Sequence, residues 1–295
     1  MINFNLPGIQ ENYKLNLAFI DYFHEYPERF YDNVNIESCF GNFQFCIFDG
    51  GRVFDSYQQV SKEFIEKIVT LYNNKNIPLR LVFTNTKLSL EHYYDRFANI
   101  VLNVCNNYNN GVILNDNNLM EYIHNNYQNL NFISSTTKCI ETIEETIEEL
   151  KNENYSIVCL NYDLNKKIDE LNNLPKELKD KCEILVNAIC PPGCKNRKKH
   201  YNLNSEFNLN YGKPYSDLKC AIEFSTLHPQ VRNFKNNLSF NDIKQYYDKG
   251  FSHFKIEGRT FDSYEVMLNY IYYMIKPEWK DETIHALYLM EKRYE

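Results

Sequence analysis

The chain has 295 residues, 43% hydrophobic and 24% charged, with a formal net charge of -7 at pH 7. Such a composition belongs to a globular protein with a sizeable core, and the negative balance argues against wholesale nucleic-acid binding while leaving room for a local basic patch. No run approaches the roughly 18 uninterrupted apolar residues of a membrane span, and the opening MINFNLPGIQENYK lacks the regions of a signal peptide, so the expected setting is the cytoplasm, away from membranes.

Short apolar segments predict strands at Leu15–Ile20, Val34–Ser38, Leu79–Phe83, Gly111–Leu114, Asn131–Ser134, Ser156–Leu160, Glu183–Ala188 and Ser252–Ile256. Amphipathic stretches lie between most of them. Ile143, Ile147 and Leu150 of ETIEETIEEL fall on one helical face. Ser239 with Asp242, and Asp262 with Glu265, read as helix starts with capping boxes, and Gly250 closes the first of these helices. Strands that alternate with helices form parallel sheets through right-handed crossovers. Eight such units predict an α/β fold, a TIM-like (β/α)8 barrel forming a single domain over residues 1–295, with a cysteine-containing insertion at 190–238 after the seventh strand. An open doubly wound sheet is the competitor, but no GxGxxG turn follows the first predicted strand.

The cysteines at 39, 46, 105, 139, 159, 182, 190, 194 and 220 are odd in number and irregularly spaced, which does not suit a disulfide framework. Cys159 and Cys182 sit in apolar runs and read as core thiols. Cys190 and Cys194 differ, because Pro191, Pro192 and Gly193 present them on a stiff turn followed by the basic run Lys195–His200. Two thiols on a preset loop suit a metal site, with Cys220 as a third ligand. The spacing is not that of a zinc ribbon, so an iron-sulfur cluster is favoured over zinc, and the basic run would complement its negative charge. A solvated basic turn with two incidental thiols is the plain alternative.

In a barrel, function gathers where strands end at their carboxyl edge. Alternation in FSHFKIEGRTF turns Phe254 and Ile256 to the helices and His253, Lys255 and Glu257 to the interior, with Arg259 just beyond. Buried charge is costly unless paired, so Lys255, Glu257 and Arg259 are candidate catalytic residues, an ion pair closing the barrel end being the competing reading. The turn Gly50–Arg52 could hold an anionic group, or be a plain turn. Asn85, Asn115, Asp116, Ser135, Thr136, Asn161, Asp163 and Asn187 follow or end strands, where they serve either a substrate or a helix cap.

LSFNDIKQYYDKGFSHFKIEGRTFDSYEV, with KIEGR at 255–259, resembles the closing region of the collagenase-like peptidase superfamily (peptidase U32). The resemblance covers roughly the last hundred residues. It implies a TIM-like barrel and, as in the members of oxygen-independent ubiquinone hydroxylation and RNA hydroxylation, a four-iron four-sulfur cluster held by four cysteines. Related cluster proteins draw one ligand from the N-terminal half; Cys39, placed after the second predicted strand, is the choice, with Cys46 its rival. The expected ligands are thus Cys39, Cys190, Cys194 and Cys220, in an enzyme or enzyme subunit doing redox or hydroxylation chemistry on an organic or RNA substrate. A peptidase and a non-catalytic, metal-stapled binding partner are the alternatives. A protein partner or a second copy of the chain, and RNA at the basic run, are the expected associations.

Overall fold

The computed structural model describes residues 1–53, 58–107, 109–210, 237–258 and 261–295. Eight parallel strands close a barrel in sequence order: β1 (Ile2–Pro7), β2 (Val34–Gly41), β3 (Leu79–Phe83), β4 (Gly111–Leu114), β5 (Asn131–Ser134), β6 (Ile157–Cys159), β7 (Cys182–Leu185) and β8 (His253–Lys255), with β8 pairing back onto β1. The helices are α1 (Tyr13–Glu25), α2 (Lys62–Asn73), α3 (Arg96–Cys105), α4 (Asn117–Asn126), α5 (Ile143–Lys151), the short α6 (Ile168–Leu171) and α7 (Lys176–Lys179), α8 (Arg197–Leu209), α9 (Phe240–Asp248), α10 (Ser263–Met274) and α11 (Lys280–Met290). Among the described residues none is long and apolar enough to cross a membrane. The architecture is the expected TIM-like barrel.

One predicted strand is a helix. The run Leu15–Ile20 lies inside α1, and the first strand is Ile2–Pro7. The run misleads because α1 is buried on most of its surface, which erases the polar face that marks a helix. The true strand carries a period of two: Ile2, Phe4 and Leu6 join the strand-helix core, while Asn5 turns inward to Glu183. Both expected capping boxes are present, Ser239 with Asp242 and Asp262 with Glu265, and Gly250 follows α9 with φ +94°. Within the expected insertion, residues 197–209 form α8, and residues 211–236 lie outside the described residues.

Two zones fill the barrel. Toward the mouth, Ile113, Ile133 and Ile157 pack with Phe40 and Val82. Deeper lies a polar network. The pairing of β1 with β2 is irregular between Phe4 and Asn5, so that Phe4 faces Ile36 and Asn5 faces Ser38. This bulge turns both Glu37 and Ser38 inward, where each bonds Asn5. Alternation then resumes one residue late and sends Cys39 outward.

Candidate active site at the barrel mouth

Strand ends and the loops after them line a cavity of ≈ 100 Å³ at the carboxyl edge. Its apolar floor includes Phe40, Val82 and Ile113; its polar walls include Lys255, Glu257, Asp49, Arg52 and Thr84. Lys255 and Glu257 therefore stand where the alternation of β8 puts them. Arg259 lies outside the described residues.

Lys255 is 7% exposed. Its Nζ donates to Glu183 Oε2 at 3.2 Å and rests 4.0 Å from the centre of the Phe40 ring. Glu183, fully buried, also accepts from Arg80 Nη1 at 2.9 Å and Asn5 Nδ2 at 2.9 Å. Burial would raise its carboxyl, but Lys255 and then Arg80 outweigh that and hold it below its ordinary range. Arg80 reaches Glu37 as well, at 3.2 Å, and His253 Nδ1 lies 2.8 Å from Glu37. For Glu37 burial again pushes upward, while the His253 hydrogen bond and Arg80 bring it down to about 2. The partner of Lys255 is thus Glu183, not Glu257. Glu257 instead accepts the Ile189 N–H through Oε2 at 3.0 Å, and its own N–H donates to Asn187 Oδ1 at 2.6 Å, which ties the mouth end of β8 to that of β7.

The wall made by residues 49–52 is held by side-chain amides. Asn208 Nδ2 donates to the Asp49 carbonyl at 2.7 Å and the Arg52 carbonyl at 2.8 Å, and Asn204 Nδ2 donates to the Gly51 carbonyl at 3.2 Å. Asn85, one of the expected mouth residues, donates to the Ile47 carbonyl at 2.7 Å. A Cβ on Gly50 would fall 2.4 Å from Asn85 Cα and 2.8 Å from the Thr84 carbonyl oxygen, so glycine is required for the loop to lie against the end of β3. The remaining expected mouth residues divide. Ser135 and Thr136 line the cavity. Asp116 caps α4, Asn115 bonds the Thr84 carbonyl, Asn161 and Asp163 serve the cysteine turn, and Asn187 serves Glu257.

The cysteine turn forms a second corner. Arg197, 5% exposed, grips Asp163 with both nitrogens at 2.8 and 3.1 Å, bonds Asn161 at 3.0 Å and the Pro191 carbonyl at 3.3 Å, and lies 4.1 Å from the Tyr162 ring centre. Asp163 also accepts the Gly193 N–H at 3.1 Å, and Gly193 has the left-handed φ of +64°. One residue of the basic run is therefore a buried clamp on the turn. Cys194 shares a surface pocket with Cys139, Lys195, Arg197 and Lys198. Cys139 follows β5 in the left-handed conformation, φ +55°, and burial pushes its thiol up against the pull of Arg197 and Lys198, with Cys190 also within electrostatic reach.

The expected ligand set does not assemble among the described residues. Cys39, sent outward by the β2 bulge, is fully buried against Tyr72 of α2, and burial pushes its thiol far up. A thiolate is the ligand form, so this is a poor ligand position. Cys46 is likewise fully buried, and Cys220 lies outside the described residues. No group of three or more His, Cys, Asp or Glu among the described residues could hold a single metal ion. The thiol that shares a pocket with Cys194 is Cys139, for which the sequence offers no local motif.

Neither a family model nor a curated protein matches the sequence. Among solved structures, the U32 peptidase Mk0906 matches with a TM-score of 0.52 at 14% identity, covering 87% of this chain and 92% of that one. The barrel is similar to that of a U32 peptidase. At this identity the likeness is one of fold.

Proposed function

We propose that the chain is a relative of the U32 peptidases and hydrolyses peptide bonds in the mouth cavity. The observation that carries this reading is Lys255 and Glu257 lining one small cavity with an apolar floor, at the edge where barrel enzymes keep their chemistry. The fold likeness supports amide hydrolysis over other chemistries but does not by itself assign it. Glu257 acts as general base and takes a proton from the attacking water. The Lys255 ammonium, held in place by Glu183, stabilises the oxyanion that develops on the scissile carbonyl. The proton then passes from Glu257 to the leaving amine. Arg259, two positions after Glu257 in the sequence, is the third candidate. Incubation with denatured collagen and a mixed peptide library, followed by mass spectrometry of the products, tests the reading: new termini with the wild type and none with Glu257→Gln are expected. Equal cleavage by the variant overturns it.

A second reading is favoured by the cysteine corner: an iron-sulfur protein of redox or hydroxylation chemistry on an organic or RNA substrate, with Cys190, Cys194 and Cys220 joined by Cys139 in place of Cys39. Supporting it are Cys139 and Cys194 lining one surface pocket with the cations Arg197 and Lys198. When bound, the cluster would supply electrons. Anaerobic purification with iron and sulfide analysis decides it, with Cys139→Ser losing the metal and Cys39→Ser retaining it. A metal-free protein rules it out.

A further inference from the structure

Resting on the peptidase reading, we propose that the Asp49–Arg52 loop and Thr84 form a subsite for the free carboxylate of a substrate's C-terminal residue, so that the enzyme removes residues from peptide ends. Three observations converge on it. Thr84 is 1% exposed and lines the cavity, yet its Oγ1 has no hydrogen-bond partner among the described residues. A buried hydroxyl without a partner costs free energy, and a ligand oxygen within the cavity supplies the missing bond. Arg52 lines the same cavity from a loop whose Gly50 packs directly on the Thr84 carbonyl, so guanidinium and hydroxyl come from adjoining walls. The planar donor fork of arginine matches a carboxylate. It is oriented by an ion pair with Glu11.

The loop is built rather than loose. Asn204 and Asn208 of α8 hold three of its carbonyls, and Asp49 Oδ1 accepts the Gly51 N–H at 3.1 Å. Asp49 lines the cavity too, and its charge opposes an anion there, so Asp49→Asn tightens carboxylate binding. Size narrows the substrate further. The cavity, ≈ 100 Å³, is smaller than the roughly 150 Å³ cavity that accepts a benzene ring, so a small terminal residue suits it better than a large one. With the carboxylate on Arg52 and Thr84, the bond presented to Lys255 and Glu257 is the last one of the peptide.

The test uses the full chain and two probes, N-acetyl-dialanine and its C-terminal amide, with binding followed by calorimetry and cleavage by mass spectrometry. The free acid binds at least tenfold more tightly than the amide, Thr84→Val and Arg52→Met each shrink that preference at least threefold, and Thr84→Ser restores it. Equal affinity for acid and amide, no binding of either, or an unchanged preference in Thr84→Val overturns the subsite. A preference for the acid without any cleavage leaves the subsite standing and removes the peptidase reading. Cleavage of internal bonds in amidated peptides at the same rate does the opposite.

Discussion

Replacing Lys255 by Met tests whether the barrel interior is an electrostatic unit. Glu183 is fully buried and shares its charge between Lys255 at 3.2 Å, Arg80 at 2.9 Å and Asn5 at 2.9 Å. Removing one partner of a buried ion pair costs about 3–5 kcal/mol, because the other charge stays in a poorly solvated place. Arg80 remains, but it is divided with Glu37 at 3.2 Å, so the lower end, about 3 kcal/mol, is expected. For a chain of this size that corresponds to a melting temperature lower by about 6–12 °C. Removing the opposite charge as well, in Lys255→Met/Glu183→Met, recovers part of the loss, because the stranded carboxylate is gone. Urea unfolding of the wild type, both single variants and the double variant, followed by circular dichroism at pH 7, gives the coupling. A single-variant cost below about 1 kcal/mol, or a double variant equal to the sum of the singles, refutes the reasoning.

Acid should weaken the same network. Glu37 has its pKa lowered from 4.5 to about 2, so its contribution, about 3 kcal/mol, is complete above pH 4.5 and disappears as pH falls toward 2. Unfolding midpoints measured between pH 7 and 2.5 should drop in that window for the wild type, and much less for Glu37→Gln. Gly50→Ala puts a methyl group 2.4 Å from Asn85 Cα, which displaces the mouth loop; turnover should fall at least tenfold with a stability loss of about 1–3 kcal/mol, checked by kinetics beside urea unfolding. Arg197→Met removes the clamp on the turn 190–194, so labelling of Cys190 and Cys194 by a maleimide should speed up at least fivefold, read by mass spectrometry, while Cys39 stays unlabelled in both proteins.

Periodicity revealed the barrel because seven of the eight segments are short apolar runs that turns and helices interrupt. The eighth, β1, went unread because its polar residues face the interior. Asn3 and Asn5 look like a surface alternation, but Asn5 serves a buried carboxylate. Lys255 and Glu257 were legible from charge on an otherwise apolar strand. The same signal was present at Arg80 in LRLVF, Glu37 in NIESC and Glu183 in CEIL, each a charge inside a strand, and together they define the interior network. Cys39 was expected just after a strand ending at Ser38, but β2 runs on to Gly41 and a β-bulge, which leaves no trace in one sequence, turns its side chain outward. Cys139 and the asparagines of α8 escaped because their partners, the cysteine turn and the mouth loop, lie far from them in sequence and meet only in the folded chain.

The central claim is that chemistry takes place at the barrel mouth and does not depend on the thiol corner. Peptide hydrolysis should be compared, at equal folded concentration, between Glu257→Gln and the Cys190→Ser/Cys194→Ser double variant. At least a hundredfold loss is expected for the first and near wild-type turnover for the second. Full activity in Glu257→Gln together with none in the cysteine variant would contradict it.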